Sequence, residues 1–118
     1  MTPQEFFADD ELALAVFERV QAIAGAVADV QVRVGKSQVA LRRRTGFAYL
    51  WRPGQYLAHP QADVVLSIAL GRHDRSPRFK QVVRPSARHW MHHLEVRSLD
   101  EIDDDVAAWI REAAARAG

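Results

Sequence analysis

The chain has 118 residues, of which 48% are apolar and 26% charged, with a formal net charge of +1; this composition is typical of a globular domain. It contains no cysteine, which excludes disulfides, thiolate nucleophiles and cysteine zinc sites and is compatible with a reducing compartment. No apolar run approaches the ~20 residues of a membrane span, and the acidic first residues are not typical of a signal peptide, so we expect a cytoplasmic protein with one domain over residues 1–118.

The small net charge conceals a segregation of charge along the chain. Residues 1–32 hold one arginine against six acids, and residues 98–118 hold two arginines against six acids. Residues 33–97 hold 13 Lys and Arg against three acids. A basic block between two acidic ends indicates either an anionic partner or charge balance within the domain.

A helix is predicted at each end of the chain. Thr2-Pro3-Gln4-Glu5 combines an N-cap, a proline at the first helical position and a capping glutamate, and Asp9 to Glu11 predict a second start. Ser98 to Glu101 form another capping box, and Asp103 to Asp105 also favour a helix N-terminus. Apolar residues then recur at spacings of three and four, at Leu12, Val16, Val20, Ile23 and Val27, and at Leu99, Ile102, Val106, Trp109, Ile110 and Ala113.

Between the helices the apolar period changes to two, which predicts short strands. They are expected around Val30–Val34 and over Gln38–Arg44, Phe47–Trp51, Val64–Leu70, Phe79–Val83 and His89–Arg97. Thr45-Gly46 suits a tight hairpin, Pro53-Gly54 ends a strand, and residues 71–78 read as a loop. The sequence therefore predicts an α+β fold with an N-terminal helix, a mostly antiparallel meander of five or six strands and a C-terminal helix, both helices covering one face of the sheet.

Gly35-Lys36-Ser37 resembles the end of a phosphate-binding loop but lacks its context. The full motif needs a glycine at position 30, which is Val, and a following helix, whereas residues 38–44 read as a strand. We therefore expect a hairpin turn there. No Gly-x-Ser-x-Gly elbow is present either, and no residue is predicted to be catalytic.

Three of the five histidines fall in the stretch Arg88–Val96, RHWMHHLEV. His89 and His93 alternate with Trp90 and Leu94, which favours a strand, with His92 directed toward the core. Along a strand His89 and His93 are ~13 Å apart, too far to share one zinc ion with bonds of ~2 Å. A metal site would need His59 or His73 from elsewhere, and we predict no bound metal and no cofactor.

The basic block contains a candidate binding surface. Arg42 and Arg44 share one parity of their strand, opposite to that of Val39 and Leu41, and Phe47, Tyr49 and Trp51 share one parity of the next. If these aromatic residues face away from the helices, they form with the arginines a stacking and cationic surface of the kind that holds nucleotides or single strands. If they face the helices, they are core and the open face is arginine-rich. The candidate ligand-binding residues are Lys36, Arg42, Arg44, Tyr49, Trp51, Arg78, Lys80 and His93.

The order of several segments resembles a small bacterial family, domain of unknown function 5655. These segments are Phe6-Phe7, Lys36 to Ala40, Gly46-Phe47-Ala48, Val64–Leu70, Arg78-Phe79-Lys80, Trp90 to His93 and the terminal Leu99–Ile110 helix. The family also occurs as a C-terminal module of predicted transport or nuclease-like proteins. The resemblance implies a compact α+β domain and brings no established activity.

Three functions are compatible with the sequence. The leading hypothesis is a non-enzymatic domain whose basic sheet face engages nucleic acid, a nucleotide or an acidic protein surface. A second is a small phosphate-ester hydrolase or transferase using Lys36, Arg78 and His92 or His93. A third is a structural domain that forms a homodimer through the open face.

Overall fold

The computed structural model describes residues 1–55 and 64–118. Three helices of this described part lie outside the sheet: α1 (Pro3–Phe6), α2 (Glu11–Gly25) and α3 (Asp104–Arg116). Six strands make the sheet: β1 (Gln31–Val34), β2 (Val39–Arg42), β3 (Gly46–Trp51), β4 (Val64–Leu70), β5 (Gln81–Ser86) and β6 (His89–Val96). Short 3₁₀ turns at Pro53–Gln55 and Leu99–Glu101 complete the elements. Within these described ranges no helix is long and apolar enough to cross a membrane.

The helices begin at the predicted caps. Glu5 N–H donates to the Thr2 hydroxyl at 3.1 Å, and Asp10 caps the restart at α2 by accepting from Ala13 N–H at 3.0 Å. The Ser98 capping box starts the 3₁₀ turn instead of the long terminal helix. That helix begins at Asp104, with Asp103 accepting from Val106 N–H at 3.2 Å. The two acidic clusters at the chain ends therefore act partly as helix caps.

All strand pairs are antiparallel, and the strand order is β1-β2-β3-β4-β6-β5. The first four strands form the predicted meander, while the last two exchange places so that β6 lies beside β4. Gly35 N–H donates to Gln38 O at 2.8 Å in the β1–β2 turn, as predicted for Gly35-Lys36-Ser37. The predicted α+β fold is confirmed, with six strands.

One face of the sheet packs on both long helices. Phe17 and Val20 of α2 and Val106 and Ile110 of α3 share one buried cluster with strand residues of a single parity, among them Val39, Leu41, Leu50, Leu66, Ile68, Leu70, Leu94 and Val96. Ala40, Val65 and Ala69 are also buried but lie outside this cluster, on the opposite parity. We call that second side the open face.

A register shift in β3 corrects two expectations about the aromatic and basic residues. Leu41 lies opposite Ala48 but Arg42 lies opposite Gly46, which leaves Phe47 as the extra residue of a β-bulge. Phe47 is therefore 1% exposed in the core, while Tyr49 and Trp51 lie half-buried on the open face. The expectation that these three aromatic residues share one face is wrong. The strand predicted to reach Arg44 ends at Arg42, so strand alternation does not place Arg44.

Candidate functional site

A pocket on the open face results from the sizes of neighbouring side chains. The central strand β4 presents only Val65, Ser67 and Ala69 there, because its larger residues face the helices. Tyr49 lies directly opposite Ser67 on β3, and His93 lies directly opposite Ser67 on β6. Large side chains on the two flanking strands therefore stand on both sides of a small residue, and they leave a depression over Ser67.

This pocket has a volume of about 690 Å³, within the range of small-molecule sites. Tyr49 and Trp51 form the wall on β3, while Met91 and His93 form the wall on β6. Ser37 and Gln38 close it at the β1–β2 turn, and Ser67 is the floor. Most of the lining is apolar or aromatic, so the pocket suits a ligand with a flat, poorly hydrated part.

The polar groups of the pocket form one hydrogen-bonded chain. Trp51 Nε1 donates to Ser67 Oγ at 3.0 Å, and Ser67 Oγ lies 2.7 Å from His93 Nδ1. The indole of Trp51 also meets the His93 ring edge-to-face, with 6.2 Å between centroids. These contacts fix the rotamers of three lining residues, so the pocket is formed before any ligand arrives.

Burial lowers the pKa of His93, and the neighbouring His92 lowers it further. Among the described residues no acidic group raises it: Glu95, two residues along the same face, is held by Lys80 at 3.3 Å and by Arg97 at 3.4 Å. His93 is therefore neutral near pH 7, and its imidazole is a hydrogen-bonding group rather than a permanent charge.

His92 belongs to the other face, in the core. It is 0% exposed, accepts a hydrogen bond from Asp74 N–H through Nε2 at 3.0 Å, and lies with Nδ1 2.9 Å from Trp90 O. Its ring packs on Phe79, with centroids 4.7 Å apart. Burial lowers the pKa of His92. Both nitrogens are engaged, so this histidine holds the loop 71–78 against the sheet and has no free atom for a ligand.

Many cations of the basic block are engaged on the helix side or at the sheet edges. Arg72 binds Asp74 and Glu112 at 2.9 and 2.8 Å, and Arg78 binds Asp103 at 2.9 Å. Arg43 donates to Ala114 O at 2.8 Å. These contacts attach the loops to α3, so much of the segregated charge is balanced within the domain.

A second group of cations has no such partner. Within residues 1–55 and 64–118, no acidic side chain lies at ion-pair distance from Arg33, Lys36, Arg42 or Arg44. Arg33 lies opposite Ala40, which lies opposite Tyr49, so its backbone is two strand spacings, ~10 Å, from that pocket wall. Arg42 follows Ala40 on the same parity. The β1–β2 hairpin therefore places positive charge beside the aromatic wall.

The eight candidate residues do not lie in one place. Tyr49, Trp51 and His93 line the pocket, with Lys36 and Arg42 on the adjoining hairpin, while Arg44 lies in the turn after β2, where its N–H donates to Ala117 O at 3.0 Å. Arg78 and Lys80 border a separate cavity of about 410 Å³, where Glu95 and Glu101 also face. Arg78 also donates to Glu101 O at 2.8 Å, so both terminal nitrogens of its guanidinium hold the start of α3.

Four lining residues were missed by sequence reasoning: Ser37, Gln38, Ser67 and Met91. Ser67 is the one polar residue within the apolar strand Val64–Leu70, and this feature could have singled it out. Its pairing with His93 depends on β6 lying beside β4, which no local pattern indicates.

No metal centre is assembled in the described part of the chain, where no group of three His, Asp or Glu side chains converges. His73 stacks on Trp90 at 5.1 Å, away from His93. His59, the other suggested ligand, lies outside the described residues.

Comparison with known proteins places these observations in a family. No curated protein and no solved structure matches the chain significantly. The family described as Domain of unknown function (DUF5655) matches residues 4–114, nearly the whole chain and every element of the fold. The resemblance noted in the sequence is thereby confirmed: the chain belongs to the DUF5655 family.

Proposed function

We propose that this domain is a non-enzymatic binding module whose open face engages single-stranded nucleic acid. The observation that carries the proposal is the aromatic pocket beside cations that have no acidic partner among the described residues. A base could stack against Trp51 and Tyr49, and the phosphates on either side would meet Arg33, Arg42 and Lys36. The absence of cysteine is compatible with a cytoplasmic location for such a module.

The composition of the open face favours this partner over a second copy of the chain. In residues 1–55 and 64–118 the exposed large apolar residues are Met1, Val27 and Val83, and only Val83 belongs to the open face. A dimer interface usually buries a contiguous apolar patch. Aromatic rings set between cations suit bases and phosphates better.

The enzymatic alternative has less support. Lys36 lies on the β1–β2 turn, Arg78 is bound to Asp103 at 2.9 Å, and His92 is 0% exposed. His93 lines the pocket, but Arg78 borders a separate cavity. Residues that act on one phosphate ester must reach the same atom, and this set is divided between separate parts of the fold whichever histidine is chosen.

The test is fluorescence anisotropy with a labelled oligothymidylate at several salt concentrations. Affinity should fall steeply with salt, because phosphate contacts release counterions. Replacing Arg33 and Arg42 together by alanine should reduce the slope of log affinity against log salt by about 1.4, from about 0.7 for each phosphate contact on a single strand.

The matched control is the Arg75→Ala, Arg111→Ala double variant, which removes two exposed arginines away from the open face and should bind like the parent. Equal losses of affinity in both double variants would show that binding depends only on net charge, and would contradict a specific binding face. No binding by the parent at low salt would overturn the proposal. Binding of polyglutamate instead would identify an acidic protein surface as the partner, and a dimer in analytical ultracentrifugation that Val83→Lys disrupts would identify a second copy.

A further inference from the structure

The hydrogen-bonded chain at the pocket floor has a direction. An indole nitrogen only donates, so Ser67 Oγ accepts from Trp51 Nε1 at 3.0 Å. The hydroxyl proton of Ser67 is then free to donate to His93 Nδ1 at 2.7 Å. A neutral imidazole that accepts at one nitrogen carries its proton on the other. Trp51 and Ser67 thereby assign the proton of neutral His93 to Nε2.

Nε2 is the unused atom of this arrangement. Within the described residues, the ring of His93 has one hydrogen-bond partner, Ser67, which bonds to Nδ1. The side chain lines the pocket, where Tyr49, Trp51 and Met91 supply aromatic and apolar surface. A polar donor beside apolar walls is a typical way to fix the orientation of a ligand that carries an acceptor oxygen.

Few charged groups surround the imidazole of His93. On β3 its neighbours are Tyr49 and Trp51, on β4 Ser67, and on β5 Gln81, none of which is an acid or a strong base. On its own strand the buried His92 precedes it, and the Glu95 carboxylate is bound to Lys80 and Arg97. An anion in the pocket would therefore be the main new charge that the imidazole meets.

We propose that His93 is a ligand-contacting residue, that its Nε2 donates a hydrogen bond to a phosphate oxygen of the bound strand, and that binding is coupled to protonation of the imidazole. The inference rests on the proposed function and names the group that adds a phosphate contact on the β6 side of the pocket. Arg33 and Arg42 lie on the opposite side, with three strand spacings, ~14 Å, between β2 and β6. The strand would thus cross the sheet, with a base over Ser67 and phosphates at both rims.

The coupling has a definite sign. The added proton binds Nδ1, and the Ser67 hydroxyl then rotates so that its oxygen accepts from Nδ1. A bound phosphate stabilises the charged imidazole and raises the pKa of His93 above its low value in the free protein. Binding then takes up a proton, so affinity rises as the pH falls through the pKa of the complex and becomes constant below the pKa of the free protein. The gain is about tenfold for each unit by which the ligand raises the pKa.

The experiment measures the affinity of an oligothymidylate without a terminal phosphate from about pH 8.5 to about pH 5.5 at constant ionic strength. Thymine and phosphodiesters do not titrate in this range, so the protein is the source of any pH dependence. Calorimetry in two buffers of different ionisation enthalpy counts the protons taken up. We expect rising affinity and proton uptake in the parent, and both effects strongly reduced in His93→Gln. His73→Gln, which removes a histidine outside the pocket, should behave like the parent.

The outcomes separate the two proposals. Binding that is pH-independent, or equally pH-dependent in His93→Gln, would overturn the role of His93 and leave nucleic-acid binding standing. Absence of binding across the whole pH range would overturn both. Trp51→Phe provides a second check, because it keeps an aromatic wall and removes the donor that fixes the proton on Nε2. It should weaken binding most above the pKa of His93, where the neutral tautomer matters, and equal weakening at every pH would contradict the tautomer argument.

Discussion

Replacing His92 by phenylalanine tests how the fold depends on its buried imidazole. The new ring retains the packing on Phe79 but cannot accept from Asp74 N–H at 3.0 Å or bond to Trp90 O at 2.9 Å. A buried donor left without a partner costs about 1–3 kcal/mol, and each lost hydrogen bond about 1 kcal/mol. We therefore expect a loss of about 2–4 kcal/mol in the free energy of unfolding, a large fraction for a small domain.

The same substitution should change how stability depends on pH. Burial lowers the pKa of His92 in the folded state, so as the pH falls the unfolded chain takes up this proton first. The contribution of neutral His92 is thus complete well above the ordinary pKa of about 6.5 and is lost as the pH falls from there to the folded-state pKa. Between about pH 7.5 and pH 5.5 the loss from one histidine is at most about 1.4 kcal/mol. Half-buried His93 adds a smaller loss of the same sign.

Urea denaturation of the parent and His92→Phe at several pH values measures both effects. The variant should be less stable near pH 7.5 but lose less stability on acidification. His73→Phe keeps a ring stacked on Trp90 and both hydrogen bonds of His92, so it should retain the stability of the parent near pH 7.5. Because the His73 charge helps to lower the pKa of His92, this variant should lose slightly less stability than the parent on acidification. Equal stability of parent and His92→Phe near pH 7.5, or identical pH slopes, would refute this account of His92.

Further predictions concern the helix start, the core, the pocket wall and metal content. Arg78→Ala should lower the free energy of unfolding by about 1–2 kcal/mol, since it removes hydrogen bonds to Asp103 and Glu101 O; Arg75→Ala, within about 0.5 kcal/mol of the parent, is the control in urea denaturation. Leu66→Ala, at a site that is 0% exposed, should cost about 3–5 kcal/mol by thermal melting, and a cost below 1 kcal/mol would contradict its core position. Gly46→Ala would place a methyl group against the Tyr49 hydroxyl. Because the Tyr49 ring can move away, this variant should lose affinity for the oligothymidylate with little change in the free energy of unfolding. An unchanged affinity would show that Tyr49 is not part of the binding site. Elemental analysis of purified protein should find no stoichiometric transition metal, and one zinc per chain would contradict the strand argument for His89 and His93.

Local patterns were enough to predict the elements but not the pocket. Caps at Thr2 and Ser98, the apolar run Val64–Leu70 and the alternation at His89–Val96 depend on neighbours in sequence, so their signal is present in the chain itself. Alternation alone leaves the face of Tyr49 and Trp51 open and puts Phe47 on the same face as these two residues. It fails at Phe47 because a bulge shifts the alternation by one residue and has no characteristic amino-acid composition. The Ser67–His93 contact joins residues 26 positions apart through an exchange of the last two strands. Such pairings depend on the topology of the whole sheet.

The bulge at Phe47 divides β3 into two parts with different tolerance to changes in length. Upstream of it lies the turn from Arg43 to Thr45, where an added residue could be absorbed by the loop. Downstream, Ala48 to Leu50 are paired on both sides, with β2 and β4, and Trp51 is paired with β4, so a one-residue slip would turn Leu50 toward the open face and bury Trp51. Insertions and deletions among family members should therefore occur before the bulge, while the segment after it should keep a constant number of residues.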